Sequence, residues 1–202
     1  MSDERGDAPH PASRPPSPRE RGEGDWRVCP FPSLPHEPGQ IASILSPSLQ
    51  AEGSRRADEG LGERIVDIAR GFVGTPYRHQ GSLKGVGCDC LGLIRGVWRE
   101  LYGAEPEVPK PYAPDWAERA GEERLLDAAT RHCGPALPVS TMWPGDLLIF
   151  RWRAGVAAKH AGIAAPGDRF IHAYEQAAVI ESPLVPCWRR RIAGVFRFPE
   201  LS

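Results

Sequence analysis

The hydrophobic pattern of this 202-residue chain changes character near residue 58. Before that point apolar side chains are sparse, and only Ile41, Ile44, Leu45 and Leu49 hint at a short amphipathic turn. Ten of the 22 prolines fall in the first 50 residues, mixed with Gly, Ser, Arg and Glu. Such a segment buries too little apolar surface to offset its ordering entropy, so residues 1–58 are expected to form a disordered Pro-rich extension. The same shift fits a reading frame whose true start lies near residue 60. From residue 59 the pattern becomes that of one globular domain, expected over 59–202.

Within that domain, Ile65, Ile68, Ala69 and Phe72 share one helical face and predict a helix over Glu63–Val73, ending at Gly74. A loop over Thr75–Gly81 follows. Asp89 is a strong N-cap residue, Leu93, Ile94, Val97, Trp98 and Leu101 recur at helical spacing, and Gly103 supplies a stop. A helix over 90–102 is expected there. A Pro-rich bridge, Pro106–Pro114, precedes a second helical pattern over Asp115–His132, weakened by Gly121. After the turn signal Trp143-Pro144-Gly145-Asp146 come candidate strands at 146–151, 160–165, 169–175, 178–183 and 193–198. Helices first and an antiparallel meander afterwards predict an α+β arrangement.

The formal net charge of −1 argues against non-specific nucleic-acid binding, which needs a basic surplus. No apolar run approaches a membrane span, and the N-terminus lacks a secretory h-region, so synthesis in the cytoplasm without a signal peptide or membrane insertion is expected. The five cysteines, Cys29, Cys88, Cys90, Cys133 and Cys187, are odd in number and irregular in spacing, which argues against a disulfide framework. Cys88, Cys90 and the nearby His79 suggest a zinc site, yet no second ligand pair completes four, and no metal is expected.

Cys90 would sit in the first turn of its helix, where the macrodipole lowers a thiol's pKa and favours the thiolate. Downstream, a hairpin centred on Gly167 would set His160 opposite Tyr174 and Gly162 opposite His172. The two histidines then share a sheet face as diagonal neighbours, about 7–8 Å apart at the backbone. A nucleophile, a base and an orienting group in reach of one another define a cysteine hydrolase. Each residue also has a structural explanation, as core cysteine, strand histidine or helix cap, and their co-occurrence is what favours chemistry. Cys88 competes for the nucleophile but precedes the cap, and His79 and His132 are weaker candidates for the base.

Gly74-Thr75-Pro76-Tyr77, Asp89-Cys90-x-Gly92-Leu93, Trp143-Pro144-Gly145-Asp146-Leu147, His160-Ala161-Gly162-Ile163 and His172-Ala173 occur in that order. The set spans about residues 62–198 and resembles the NlpC/P60 family of cell-wall peptidases, especially its compact branch in phage tails and gene transfer agents. The resemblance implies a papain-like α+β fold with the cysteine helix packed on an antiparallel sheet. It implies Cys90 as nucleophile, His160 as base, His172 as the orienting third residue, and Tyr77 and Asp89 in the substrate site. It further implies cleavage of the D-glutamyl–diamino acid bond of peptidoglycan stem peptides without metal or cofactor. Phage-tail-like protein partners and a particle-associated location complete that expectation. Two departures bear on specificity: Leu91 replaces the usual Ser, and Arg78-His79-Gln80-Gly81 replaces an aromatic-Gly-Gly run. An amidase or acyltransferase on the same scaffold, and a non-catalytic structural tail-tip subunit, are the alternative readings.

Overall fold

The computed structural model describes residues 49–112, 122–175 and 177–201, with side chains from residue 60 onward. The disorder expected of residues 1–48, and the part of the second helix expected over 115–121, lie outside the described residues. Helix α1 runs over Leu49–Arg70 and so begins inside the segment expected to lack structure. Ala51, Arg55, Arg56, Ala57 and Glu59 are good helix formers, and extending a helix backward from a packed turn costs far less than nucleating one. The helix stops at Arg70, short of the expected Val73, because a turn through Gly74 at φ +87° redirects the chain.

Helix α2, Cys90–Tyr102, has the expected boundaries. Asp89 is its N-cap, its side chain accepting from the Gly92 N–H, and Gly103 closes it in the left-handed region. A two-stranded ribbon precedes it, β1 (Ser82–Leu83) pairing with β2 (Gly87–Cys88), which no pattern in so short a stretch announced. Helix α3 covers Arg124–Cys133 with a cap at Glu123, where the expected helix ran on without a break.

The sheet consists of β3 (Leu147–Phe150), β4 (His160–Ala165), β5 (Arg169–Ala173), β6 (Val179–Pro183) and β7 (Ile192–Phe196). A short helix α4, Pro186–Arg189, precedes β7 where only a turn was expected. Spatial order is β6-β5-β4-β3-β7, with every neighbour antiparallel. Period-two alternation then splits the sheet. Leu147, Ile149, Ala161, Ile163, Ile171 and Ala173 pack with Ile65, Val66, Ala69 and Phe72 of the α1 region and Leu93, Ile94 and Val97 of α2. Phe150, His160, Phe170 and His172 face the other way, where Trp188 of α4 lies against their rings.

Gly92 sets how closely α2 approaches the ribbon: a Cβ there would overlap the carbonyl oxygen of Gly81. Gly60, in α1, has open space at the same position. Gly92→Ala is therefore expected to destabilise the domain by about 1–3 kcal/mol through overpacking. Gly60→Ala should leave stability unchanged or raise it by up to about 1 kcal/mol through helix propensity. Thermal melts of the two variants check this, and equal melting temperatures would contradict the close-packing argument.

Candidate active site

Cys90 opens α2 because Asp89 can satisfy two kinds of donor at once. Its Oδ1 accepts from the Gly92 N–H at 2.7 Å and its Oδ2 from the Gln80 N–H at 2.7 Å, which ties the helix start to the preceding loop. The Tyr112 hydroxyl donates to the same Oδ2 at 2.6 Å. Asp89 is thus buried, at 2% exposure, with both oxygens engaged. The Cys90 thiol points at β4, 3.8 Å from the Lys159 carbonyl oxygen, and receives hydrogen bonds from the backbone of Ala161 and of the helix start. Its contacts are therefore the main-chain groups on either side of His160, rather than the imidazole itself. Cys88 is fully buried in the core, its Sγ donating to the Asp89 carbonyl, and does not compete for that position.

The hairpin has the register expected of it. Ile163 pairs with Ile171, Ala164 with Phe170 and Ala165 with Arg169, a series that sets Gly162 across from His172. Gly167 and Asp168 make the reversal, both with positive φ. The diagonal histidines meet: His160 Nε2 lies 3.0 Å from His172 Nδ1, with the rings at right angles. His172 Nε2 in turn lies 3.1 Å from Ser182 Oγ. Trp152 stacks on His160 at 6.0 Å between centroids, and Phe170 stacks on His172 at 4.3 Å. The pairing leaves His160 Nδ1 as the nitrogen able to serve the thiol.

Burial governs the protonation states. It pushes the Cys90 thiol up to about 12, with the Asp89 carboxylate adding to the rise and backbone N–H groups opposing it. It pulls His160 down to about 4, helped by the Lys159 charge, and His172 well below its ordinary value. The helix field expected to lower the thiol is outweighed by enclosure and by the neighbouring carboxylate. Both directions favour a neutral thiol and a neutral imidazole at rest, suited to general-base activation of the nucleophile.

Tyr77 stands half-buried beside this pair, its hydroxyl pushed up by burial and by the proximity of Cys90 and Asp89. Tyr112 belongs to an extended strap, residues 104–112, that nothing in the Pro-rich sequence marked as part of a site. Glu105 of the strap is held by Arg95 and Arg99, and Glu107 by Arg131. The carbonyl of Tyr112 accepts from the Gln80 amide at 2.7 Å and lies 2.8 Å from His79 Nε2. His79 and Gln80, in the tetrapeptide that departs from the family pattern, thus anchor the strap beside Asp89. His132 instead packs edge-on against Trp98, away from the pair. Among the described residues no group of three His, Cys, Asp or Glu side chains is placed to hold a metal ion. Cys88, Cys90 and Cys133 are free thiols.

In comparisons with known proteins, the sequence profile of the NlpC/P60 family matches residues 74–197. The chain is 32% identical over 129 residues to the murein DD-endopeptidase MepS/murein LD-carboxypeptidase of Escherichia coli (strain K12), covering 63% of this chain and 58% of that protein. It is 28% identical over 139 residues to the gamma-DL-glutamyl hydrolase of Bacillus subtilis (strain 168), covering 68% of this chain and 30% of that one. The chain therefore spans less than two thirds of either relative. The solved NlpC/p60 domain of the peptidoglycan hydrolase SagA is 28% identical, with a TM-score of 0.43, covering 61% of this chain and 89% of that chain.

A neutral resting thiol has a direct signature. Iodoacetamide alkylation of Cys90 should be slow at pH 7 and climb about tenfold per pH unit up to at least pH 10, because only the thiolate reacts. Cys88 should react more slowly still. A rate plateau near neutral pH would show instead that a thiolate–imidazolium pair is the resting form.

Proposed function

The chain belongs to the NlpC/P60 family, and from that premise we propose that it is a cysteine endopeptidase hydrolysing peptidoglycan stem peptides, with Cys90 as nucleophile, His160 as base and His172 as its orienting partner. One observation carries the reading: the thiol at the head of α2 contacts the backbone flanking His160, while His160 Nε2 is held by His172. The names of the relatives support the substrate class; that of the gamma-DL-glutamyl hydrolase favours a glutamyl bond, whereas the murein relative is named for DD and LD bonds. The finer assignment, to a particle-borne enzyme with phage-tail-like partners, is supported by the motif resemblance.

The chemistry follows from the neutral pair. As substrate enters, the thiol turns from the Lys159 carbonyl toward His160, and Nδ1 takes its proton while Sγ attacks the scissile carbonyl. The tetrahedral oxyanion accepts hydrogen bonds from backbone N–H groups at the start of α2, where the helix field is positive. The imidazolium keeps its Nε2–H on His172 Nδ1. His160 then protonates the leaving amine, and water, activated by the same imidazole, hydrolyses the thioester. Tyr77 lines the substrate side of the thiol. At Asp89 Oδ2, which already accepts from the Gln80 N–H and the Tyr112 hydroxyl, a substrate donor would take the place of the Tyr112 hydroxyl.

Incubation of the protein with purified diaminopimelate-type peptidoglycan, followed by mass spectrometry, is expected to release fragments cut after D-glutamate. Cys90→Ser should reduce release by on the order of 10³-fold or more, whereas Cys88→Ser keeps substantial activity. No release by the folded wild-type protein would favour the structural-subunit alternative, and equal loss from both serine variants would remove Cys90 from the nucleophile position. His160→Ala should lose about 10²–10⁴-fold, and His172→Ala less, because it only orients the base.

The pH profile follows from the same groups. His160 must be neutral to accept the proton, and burial pulls it down to about 4. The acid limb of kcat/KM should therefore fall well below the ordinary histidine value of about 6.5. Stability runs in the same sense. The unfolded histidines bind protons below about 6.5 while the folded ones stay neutral, so their contribution is complete above that pH and is lost as pH falls toward 4. An acid limb at 6.5 or higher would contradict the buried neutral base.

A further inference from the structure

We propose that Ser182 is a fourth, positioning member of the site, accepting the Nε2–H of His172 and thereby holding His172 in the tautomer whose Nδ1 supports His160. The inference deepens the reading of Cys90, His160 and His172 as the catalytic residues, and it rests on that reading.

Ser182 is buried, at 4% exposure, on the edge strand β6, paired with Phe170 of β5. Because His172 pairs with Ile180, two residues away, Ser182 occupies the same face of the sheet and lies diagonally beside it. Its Oγ is 3.1 Å from His172 Nε2. Four rings surround that imidazole: Phe170 stacked at 4.3 Å, Trp188 at 5.5 Å, Tyr174 at 6.0 Å, and His160 at 5.1 Å. Among the described residues, Ser182 is the one hydrogen-bonding group at Nε2.

The direction of the hydrogen-bond chain is set by the reaction. Once His160 has taken the thiol proton, both of its nitrogens carry hydrogen, so Nε2 can only donate. His172 must then accept at Nδ1, and being neutral it carries its own hydrogen on Nε2. That hydrogen points at Ser182 Oγ, which accepts it. With the opposite polarity, Ser182 would donate to Nε2, His172 would donate to His160 Nε2, and the hydrogen of His160 would sit on Nδ1. The base would then face the thiol with its donor side and could take no proton. Removing the hydroxyl leaves Nε2–H buried among rings without a partner, and that loss falls on the productive tautomer.

The test uses the full chain, assayed on diaminopimelate-type peptidoglycan and by nitrogen-15 NMR of the histidine side chains. The wild-type spectrum should show His172 protonated on Nε2 and bare on Nδ1. Ser182→Ala should lower kcat about tenfold, as loss of one such hydrogen bond predicts, leave KM unchanged, and mix the His172 tautomers. Ser182→Thr, which restores a hydroxyl, should recover most of the loss and the single tautomer. A wild-type His172 bearing its hydrogen on Nδ1 overturns the proposal without any variant, so a poorly folding Ser182→Ala does not shelter it. An unchanged kcat in a folded Ser182→Ala overturns it equally. If the wild-type protein releases nothing from peptidoglycan, the functional reading fails, and the tautomer spectra still judge the assignment of Ser182.

Discussion

The active centre depends on one buried carboxylate. Asp89 accepts from the Gly92 N–H, the Gln80 N–H and the Tyr112 hydroxyl, and so joins the first turn of α2, the loop before it and the strap after it. Burying a carboxylate is strongly unfavourable unless its oxygens are met by donors, and charge-assisted hydrogen bonds are about twice as strong as neutral ones. Three segments distant in sequence are thereby held at the residue that precedes the nucleophile. The same charge works against the thiolate: it stands next in sequence to Cys90 and adds to the rise of the thiol. Order at the helix start and a protonated resting thiol have a common origin.

The histidines show the complementary effect. Trp188, Trp152, Phe150 and Phe170 enclose His160 and His172 in aromatic surfaces, and that enclosure keeps both neutral to a lower pH than a histidine in water. A base depressed this far has a weaker intrinsic pull on a proton, yet it is in the right form across the physiological range. The neutral pair avoids storing a charge separation in an apolar site, and the charge develops only during attack, where the helix start and the His172 contact are placed to receive it.

Legibility in the sequence followed the range of the interaction. Asp89, the helical repeat from Leu93 to Leu101, and Gly103 are all local, and α2 has the boundaries they imply. Gly167 with Asp168 specifies its reversal at close range, so the facing of His160 and His172 was readable from parity alone. The break before helix α3 was missed because Glu123 caps it without a side-chain hydrogen bond, so no local signal separated it from the pattern upstream. Ser182 was hidden because the β5–β6 connection through Tyr174 to Ala178 carries no Gly or Pro, so nothing fixed the register that brings it beside His172. Tyr112 was hidden for another reason: its contacts to His79, Gln80 and Asp89 join a Pro-rich strap to a distant loop, and neither has a period to read. The direction of the Cys90 shift depends on enclosure, a tertiary property that helix position alone misrepresents.

Parity also explains how the two halves of the site meet. Ala161, Ile163 and Ile171 point to the helices, so the thiol, carried by α2, arrives on that face of β4. His160 and His172 belong to the opposite, aromatic face. The reactive groups therefore come from two layers and can join only at the end of β4, where the sheet stops and His160 begins the strand. The base is clamped by rings and by a hydrogen bond to His172, while the thiol is held by main-chain groups alone, those of Lys159, Ala161 and the helix start. Attack then requires the thiol to exchange the Lys159 carbonyl for His160 Nδ1, a turn of one side chain that moves neither layer.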